Sequence, residues 1–371
     1  MNQACPGLVI VGPFPAPTGG VSNFVLRLAS QLRALQPDVV DLYPANGKWA
    51  VPGVTHDVLP ASANRALWLR ERVASKGDAR VYFNFSTERG VLTALACKKS
   101  AGSTWYLTLH HGVLPANGKG SRLAKVQSAL VRIALSRFDH IGYLSEPQRQ
   151  YYVSIGISEE RLSPITSYLV YPQHAICPKE ERAEIEELEP LIQYLRNCGK
   201  TVVIASGYPT ALYRHDWVAD LASHAVIGDR LEVVLCIYGP RNEDIRLGLR
   251  HKLSTGKNLH ILEDRGPAVF RALLAVSNIY ARPTEVDSLG VAVHEALDLG
   301  KVVIASDACA RDPRCFVFRK EDRAGFESLV NGYLDDTISR ELGARNSFVT
   351  ASKSLVLPIS DFLKLPKGAK N

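Results

Sequence analysis

The segment from Arg282 to Asp307 combines residue types that suit the binding of a charged ligand. A strand pattern leads into a loop, the loop leads into a helical pattern, and Gly300 suits the residue just past the helix end. Asp287 and Glu295 are eight residues apart, a little over two helical turns, so both are expected along a similar side. The first amides of a helix lack intrahelical partners and attract anions. The segment therefore predicts a diphosphate site flanked by carboxylates.

Each residue of this segment also has an ordinary structural interpretation. Asp287 or Ser288 suits the N-cap of the helix, and Glu295 suits a solvated position on its surface. The functional hypothesis therefore rests on the whole constellation rather than on any one side chain.

Two further loops follow apolar strand patterns. In the first, Gly19 and Gly20 stand directly before a helix, where glycine lets the backbone approach a phosphate or an acceptor hydroxyl, although a plain tight turn is the alternative. The spacing is not the GxGxxG of dinucleotide-binding dehydrogenases. In the second, His110 and His111 follow the strand pattern Tyr106–Leu109, and one imidazole there can hydrogen-bond a sugar hydroxyl. No third ligand is spaced for a metal ion, so no metal site is predicted.

Composition narrows the class of protein. The 371 residues are 46% hydrophobic and 22% charged, as in soluble globular proteins, and the length suits two domains. Seven cysteines form no CxxC pair, which favours buried thiols over metal or disulfide sites. The net charge is +7, and residues 1–172 carry 18 Lys and Arg against 10 Asp and Glu, so the excess lies in this half. No zinc-finger spacing or aromatic-rich RNA motif accompanies it, so nucleic acid is not an expected partner.

Strand and helix patterns alternate along the chain, which predicts an α/β protein with parallel βαβ units. The polar, acidic stretch that begins near Pro172 interrupts the alternation and marks a domain boundary. The predicted organisation is an N-terminal Rossmann-like domain (1–172), a linker (173–195), a C-terminal Rossmann-like domain (196–345), and a final helix and tail (346–371). In doubly wound sheets, ligands bind beyond the carboxyl ends of the strands, where all three loops are expected to lie.

The motifs resemble those of glycosyltransferase family 4, the retaining enzymes of the GT-B fold, over nearly all of the chain. The family's Gly-Gly loop is matched by Thr18-Gly19-Gly20-Val21, and its usual E-x7-E motif reads D-x7-E from Asp287 to Glu295. The pattern of bacterial polysaccharide-type members is matched by Arg282-Pro283-Thr284, Asp287, Glu295-Ala296-Leu297, Gly300, Val302–Asp307 and Leu144–Pro172. The resemblance implies two doubly wound domains that face an interdomain cleft. It also implies that the N-terminal domain (1–172) is on the acceptor side and that the C-terminal domain (196–345) binds the nucleotide sugar.

It also implies a role for each residue of the site. Glu295 would bond the ribose hydroxyls, Asp287 would lie near the transferred sugar, and His111 would touch that sugar. Ser288, Leu289, Gly290 and Val291 would hold the phosphates, with Gly19 and Gly20 also near the donor. The basic pair that many members place after the first C-domain strand is missing, and Arg214 is one register away. Arg214 is the candidate for the charge that stabilises the leaving diphosphate.

The expected reaction is metal-independent, retaining transfer of a hexose, without a cofactor, from a nucleotide-diphosphate sugar to a glycan or a lipid-linked acceptor in bacterial surface polysaccharide synthesis. Two alternatives stay open. A nucleotide-sugar epimerase of GT-B architecture would isomerise the donor without an acceptor. A catalytically inactive glycosyltransferase-like subunit would bind the donor weakly and transfer nothing.

A cytoplasmic location is expected because no apolar run is long enough to span a bilayer and the N-terminus does not resemble a signal peptide. Residues 119–137 form an amphipathic basic helical pattern, with Leu123, Val126, Leu130 and Ile133 at helical spacing and Lys119, Arg122, Lys125, Arg132 and Arg137 as its cations. One interpretation packs the apolar stripe on the domain core. The other presents the helix to an anionic membrane, which places the protein peripherally at the inner face.

Overall fold

The computed structural model of the chain describes residues 7–15, 19–44, 48–110, 122–166, 168–169, 175–239, 242–287, 290–337 and 358–364, with residues 122–125, 127 and 255 described by their backbone alone. The chain forms two compact units. Unit 1 comprises Met1–Pro178 with Ser354–Asn371, and unit 2 comprises Lys179–Lys353.

Unit 1 alternates strands and helices from its first described residues. Its elements are β1 (Leu8–Gly12), α1 (Gly20–Gln31), β2 (Asp38–Asp41), β3 (Thr55–Val58), α2 (Arg65–Ser75), β4 (Arg80–Phe85), α3 (Glu88–Val91), β5 (Thr104–Leu109), α4 (Arg122–Ser136), β6 (His140–Tyr143), α5 (Glu146–Ser154) and β7 (Leu162–Pro164). The strands form a parallel sheet in the order β3-β2-β1-β4-β5-β6-β7. The strand order therefore reverses between β1 and β4, the position where such sheets open a crevice for ligands.

Unit 2 repeats this plan with a second parallel sheet. Its elements are α6 (Lys179–Asn197), β8 (Thr201–Gly207), α7 (His215–Asp220), β9 (Leu231–Ile237), α8 (Glu243–Thr255), β10 (Leu259–Glu263), α9 (Pro267–Val276), β11 (Ile279–Arg282), α10 (Val291–Asp298), β12 (Val302–Ser306), β13 (Phe316–Phe318) and α11 (Arg323–Leu334). The strand order is β10-β9-β8-β11-β12-β13, and it reverses between β8 and β11. A short helix near the chain end, α12 (Ile359–Phe362), belongs to unit 1.

Each sheet is buried by helices on its faces, as expected for doubly wound parallel sheets. In unit 2, Val218 of α7, Leu249 of α8 and Phe326 of α11 cover one face. Ile192 of α6 and Leu273 of α9 help to cover the other. Unit 1 has a core of its own, which includes Phe83, Trp105 and Phe138. Each unit therefore buries a separate core, as expected for a chain of this length.

Helix α4 packs on the core of unit 1 through Val131, Ala134 and Leu135. Val126, Leu130 and Ile133 of the same helix are exposed. The interpretation that packs the latter three residues on the core is therefore wrong.

Local signals in the sequence explain several helix starts. The side chain of Asn64 accepts hydrogen bonds from the first turn of α2, Ser145 caps α5, and Asp322 caps α11. Gly300 has a φ of 67°, and it directly follows the C-cap Leu299 of α10. The helix end predicted at this glycine is therefore confirmed.

The predicted α/β fold with two doubly wound domains is confirmed. The region predicted as a linker, 173–195, contains most of α6, whose apolar residues pack in the core of unit 2. At the other end, Phe362 packs against Tyr82 and Tyr106 of unit 1, with ring centroids 5.6 and 5.5 Å apart. The described part of the predicted tail, 358–364, therefore packs against the first sheet.

Candidate functional site

The carboxyl ends of β8 and β11 lie side by side where the sheet of unit 2 reverses its strand order. Arg282, the last residue of β11, connects them because its Nη1 donates to the carbonyl oxygen of Ser206 in β8 at 3.1 Å. Its guanidinium also lies over the ring of Tyr213, 4.8 Å from the centroid. A buried arginine therefore stands at the position where doubly wound sheets bind their ligands.

Asp287 is held by two arginines, and we call Arg282, Asp287 and Arg311 the arginine–aspartate cluster. Arg282 donates from Nε and Nη2 to the two carboxylate oxygens, each at 3.0 Å, in the bidentate geometry that makes such pairs strong. Arg311 donates from Nη1 to Oδ2 at 2.9 Å. The Asp287 side chain is 6% exposed, and that of Arg311 is 2% exposed. The cluster is thus a buried ion network.

The electrostatics of the cluster keep Asp287 ionised. Burial alone would raise the pKa of Asp287, but the charges and hydrogen bonds of Arg282 and Arg311 outweigh it and lower the pKa well below its usual value. Two cations and one carboxylate leave a net charge of about +1 at this point. An excess of positive charge suits the binding of an anionic group.

Helix α10 begins directly beside this cluster. Its N-cap, Gly290, has a φ of 72° and lacks a side chain that could satisfy the first-turn amides. A Cβ at Gly290 would lie 3.1 Å from Oδ2 of Asp287 and 3.2 Å from Nη1 of Arg311. The backbone conformation and the close approach both require glycine here. Val291 opens the helix, whereas Ser288 and Leu289 lie outside the described residues.

Glu295 lies in the second turn of α10 and is 6% exposed. It is buried together with Val293, Ala296 and Leu297, so the alternative of a solvated helix residue is wrong. The helix begins at Val291, and Asp287 therefore precedes it in the loop. The expectation that the eight-residue spacing represents two turns of one helix is thus corrected.

Arg214 lies in the loop after β8 and immediately before α7. Its Nη2 donates to Oε1 of Glu285 at 2.7 Å, and its guanidinium lies over Trp217, 4.3 Å from the ring centroid. Its Nη1 is buried and has no hydrogen-bond partner within the described ranges. Arg214 therefore pairs with Glu285 rather than with Asp287. Arg214 lies in the loop that follows β8, and Glu285 lies in the loop that follows β11.

Arg214 also lines a pocket of about 510 Å³. Residues of α7 and α8 form most of its wall, among them His215, Trp217, Leu249 and Lys252, and Thr210, Ala211 and Glu285 complete it. Burial lowers the pKa of His215 to about 4, so this imidazole is neutral at physiological pH. The pocket therefore combines two cations, Arg214 and Lys252, and two carboxylates, Asp216 and Glu285, with a neutral imidazole and an indole ring next to the same strand ends.

The loop with two glycines in unit 1 follows the predicted pattern of strand, loop and helix. Gly19 is the N-cap of α1, and the helix begins at Gly20. The carbonyl oxygen of Gly19 accepts hydrogen bonds from the Ser22 hydroxyl and the Asn23 amide, both at 3.0 Å. This loop follows β1, and it therefore lies at the reversal point between β1 and β4.

The histidine pair of unit 1 is only partly described. His111 lies outside the described residues. Nε2 of His110 is 3.2 Å from Oδ1 of Asn84 in β4, and its ring packs on Phe24 of α1. Burial lowers the pKa of His110 to about 3, so this imidazole is neutral at physiological pH. It contacts β4 and α1 near the point where the strand order reverses.

Unit 1 also contains a buried cluster of polar and charged side chains that no sequence motif indicated. Asp41, at the end of β2, is fully buried and pairs with Nζ of Lys48 at 2.7 Å and Nε2 of His56 at 3.2 Å. Asp41 also accepts the Phe14 amide at 3.1 Å, and Lys48 donates to the Phe14 carbonyl oxygen at 2.9 Å. The cluster therefore anchors the chain just after β1, in the loop that leads to Gly19.

The side chains give no sign of a metal site within the described ranges, where no group of three or more His, Cys, Asp or Glu is placed to hold an ion. Among the same residues, no helix has both the length and the apolar character needed to cross a bilayer.

No protein-family model matches the chain, and comparison with the curated proteins finds no match. Solved structures are similar over almost the whole chain. HepE from Anabaena, in complex with UDP and glucose, has a TM-score of 0.68 and 14% identity, covering 96% of this chain and 97% of that one. The trehalose-6-phosphate synthase OtsA has a TM-score of 0.67 and 12% identity over 92% and 94%.

A third similar structure is the UDP-forming alpha,alpha-trehalose-phosphate synthase of Burkholderia xenovorans in complex with glucose-6-phosphate. Its TM-score is 0.66 with 12% identity, covering 93% of this chain and 95% of that one. At these identities the likeness establishes the fold, which is the two-domain GT-B architecture of glycosyltransferases. Membership of family 4 stays a prediction.

Proposed function

We propose that this chain is a glycosyltransferase that takes a sugar from a nucleotide-diphosphate donor. The observation that carries the proposal is the start of α10, where a glycine N-cap lies against the arginine–aspartate cluster at the reversal point of the unit 2 sheet. Solved structures of the same fold hold UDP, UDP-glucose and glucose-6-phosphate. A diphosphate is the ligand whose charge best matches this position.

Cleavage of the bond between the anomeric carbon and the diphosphate places negative charge on the leaving group and positive charge on the sugar. Hydrogen-bond donors that are already fixed around the diphosphate before the reaction stabilise its developing charge without having to reorganise. Ser288, Leu289, Gly290 and Val291 are proposed to supply backbone amides for this purpose. Arg214 and the net positive charge of the arginine–aspartate cluster are proposed to add to the same field.

Asp287 is proposed to act in two ways. Its carboxylate fixes the orientation of both arginines, and its negative charge favours the developing positive charge on the sugar. Glu295 is proposed to accept hydrogen bonds from the ribose hydroxyls, and His111 to contact the transferred sugar. Gly19 and Gly20 are proposed to line the donor site from unit 1.

The finer features of the reaction are also proposals. We infer retention of the anomeric configuration, transfer of a hexose without a metal ion or other cofactor, and an acceptor that is a glycan or a lipid-linked glycan of bacterial surface polysaccharide synthesis. We place the enzyme in the cytoplasm, at the inner face of the membrane. Nucleic acid is not a proposed partner.

A second candidate is a catalytically inactive subunit of the same fold. It is favoured by the observation that Asp287 and Arg214 both have charged partners within the chain, since a carboxylate between two arginines is not available as a base. Such a subunit would bind nucleotide sugars weakly and transfer none of them.

Turnover in the presence of a chelator tests the reaction. Purified protein is incubated with a panel of nucleotide-diphosphate sugars and lipid-linked acceptors in excess EDTA, and the released nucleoside diphosphate and the anomeric configuration of the product are measured. Retained turnover with retained configuration supports the proposal. Activity that disappears in EDTA and returns with magnesium or manganese contradicts the metal-free mechanism, and an isomerised donor formed without an acceptor indicates an epimerase.

A further inference from the structure

The pocket beside Arg214 lies on the opposite side of the unit 2 sheet from α10. Its wall includes Leu249 and Lys252 of α8, and both α7 and α8 pack on the sheet face that α11 also covers. Helix α10 packs on the other face, where its Val293 belongs to the same core as Leu273 of α9. The pocket is therefore separate from the start of α10, where the nucleotide diphosphate is proposed to bind.

Buried polar atoms without a partner are concentrated at this pocket. Among the described residues, seven buried side-chain nitrogen or oxygen atoms lack a hydrogen-bond partner. Three of them, Oγ1 of Thr210, Nη1 of Arg214 and Nδ1 of His215, belong to residues that line the pocket. A buried polar atom without a partner is costly, so such atoms are normally satisfied by protein, ordered water or a ligand. Their concentration in one wall indicates a polar ligand.

Arg214 is held in a strained and fixed arrangement in this wall. Its φ is 48°, in the left-handed region that a non-glycine residue rarely adopts. Glu285 fixes its Nη2 at 2.7 Å and the Trp217 ring packs on the guanidinium, so the orientation of this group is set. The Glu285 amide also donates to the carbonyl oxygen of Leu212 at 2.9 Å, which joins the loops after β11 and β8. Backbone strain that the surrounding structure maintains is common at ligand sites.

The charges of the wall favour a neutral ligand. Two cations and two carboxylates line the pocket: Arg214, Lys252, Asp216 and Glu285. Lys252 also has an ion-pair partner in Asp220. An anion would meet the two carboxylates, and a cation would meet the two basic groups. Neither sign of ligand charge is therefore favoured.

The rest of the wall suits a sugar ring. Trp217, Ile245 and Leu249 supply apolar surface, on which the C–H face of a sugar packs. Hydroxyl groups both donate and accept hydrogen bonds, so they match a wall that offers carboxylate acceptors and a guanidinium donor. The volume of about 510 Å³ is within the range of small-molecule sites.

We propose that this pocket binds an uncharged sugar residue of a glycan, at a site distinct from the start of α10. The hydroxyl of Thr210, the Nη1 of Arg214 and the imidazole of His215 hydrogen-bond the sugar hydroxyls. The proposal concerns sugar binding alone and holds whether or not the protein transfers a sugar. Arg214 is also proposed to act at the diphosphate, so the variants that test the pocket leave it unchanged.

Two substitutions test the pocket. Gly248→Leu fills it from α8, and because a Cβ at Gly248 meets no atom within 4 Å, the variant is expected to fold. Ser254→Leu is the matched control, since Ser254 is exposed on the opposite side of the same helix. Thr210→Val removes a hydroxyl that has no partner but keeps the shape of the side chain. It should leave stability equal or higher while it weakens sugar binding.

Saturation-transfer difference NMR measures the binding of uncharged sugars: glucose, galactose, mannose, N-acetylglucosamine and their disaccharides. Glucose-6-phosphate and glucuronic acid are the charged counterparts. We expect at least one uncharged sugar to bind wild type and Ser254→Leu but not Gly248→Leu, and to bind Thr210→Val roughly twofold to tenfold more weakly. Thermal unfolding checks that each variant folds, and nucleoside diphosphates should shift its midpoint alike in all four proteins.

Three results would overturn the proposal: no uncharged sugar bound by wild type, unchanged binding in Gly248→Leu, or binding of the charged sugars alone. A Gly248→Leu variant that folds but loses the response of wild type to nucleotide would assign the pocket to the donor site, which also overturns it. Wild type that binds a sugar through this pocket but binds no nucleotide would contradict the proposed transfer reaction and leave the pocket assignment supported.

Discussion

At the scale of single residues, the arginine–aspartate cluster decides what Asp287 can do. A carboxylate that accepts three hydrogen bonds from Arg282 and Arg311 is a poor proton acceptor at neutral pH, because its lowered pKa keeps it ionised. Its chemical contribution is therefore orientation and charge. The sequence indicated Asp287 but not Arg311, because a partner 24 residues away along the chain is found only when the fold brings the two side chains together.

Loss of the carboxylate is expected to destabilise unit 2. Asp287→Asn leaves two buried guanidinium groups without their anion, and breaking a buried ion pair in this way costs roughly 3 to 5 kcal/mol. The matched control is Asp335→Asn, whose ion pair with Arg230 is about half exposed and is worth at most about 1 kcal/mol. Denaturant unfolding compares the two variants. Similar small losses in both would show that the cluster does not stabilise the fold.

The proposed ribose contact predicts a binding defect at Glu295. Glu295→Gln keeps the shape of the buried side chain but removes its charge, so the nucleotide should lose a charge-assisted hydrogen bond worth roughly 1.5 to 3 kcal/mol. Calorimetric titration with the preferred nucleotide measures the difference from wild type. If the variant binds with unaltered affinity, the assignment of Glu295 to the ribose is wrong.

At the scale of elements, apolar runs in the sequence predicted most strands of both sheets, including those that place the site, and missed four short ones. β1, β4, β5, β6 and β8 to β12 follow apolar runs, whereas β2, β3 and β7 are three or four residues long and contain polar residues, and β13 is only the three residues Phe316–Phe318. Short strands with polar residues gain their structure from neighbours in the sheet rather than from their own sequence. The two reversal points depend on which strands pair, and local periodicity does not carry the strand order, so they were found only in the structure.

Two glycines, at opposite ends of α10, allow the effect of backbone strain on stability to be distinguished from an effect on nucleotide binding. Gly290 and Gly300 have φ values of 72° and 67°, but only Gly290 faces the arginine–aspartate cluster, whereas a Cβ at Gly300 meets open space. Both alanine variants should lose about 1 to 2 kcal/mol of stability from the left-handed conformation. Gly290→Ala should also weaken nucleotide binding, because its Cβ displaces Asp287 or Arg311.

Unfolding and calorimetric titration of both variants test this difference. Gly300→Ala serves as the control and should bind nucleotide like wild type. Equal nucleotide affinity in the two variants would remove the start of α10 from the donor site.

At the scale of the whole molecule, each unit contains a buried neutral histidine near its reversal point. The pKa of His110 in unit 1 is lowered to about 3 and that of His215 in unit 2 to about 4, mainly by burial. In the unfolded chain, both histidines bind protons near their ordinary pKa of about 6.5. The folded protein should therefore be fully stabilised above about pH 6.5 and should lose stability as the pH falls from there toward 4.

Replacement of one histidine should reduce this pH dependence. His110→Gln cannot be protonated, so its free energy of unfolding should fall less than that of wild type between about pH 7.5 and about pH 5. Urea unfolding at both pH values measures the difference. An identical fall in wild type and variant would show that His110 is not the group that takes up the proton.

The fold of the whole chain followed from its alternating pattern, its length and the acidic stretch in the middle, because these features depend on local periodicity and on composition. The clusters around Asp287 and Asp41 did not follow, because each joins side chains from separate loops. The sequence also does not identify the sugar of the proposed donor, because the shape of a binding pocket has no simple code in the sequence.

Unit 2 is proposed to bind a nucleotide-diphosphate sugar at the start of α10. Thermal unfolding with a panel of nucleoside diphosphates and their sugar conjugates tests it most directly, since a ligand that binds only the folded protein raises the midpoint and no acceptor is needed. We predict that at least one nucleotide and its sugar conjugate raise the midpoint of wild type and of Gly300→Ala, and that Gly290→Ala loses most of the increase. A panel in which no nucleotide shifts the midpoint, or in which Gly290→Ala responds as fully as wild type, would contradict this account.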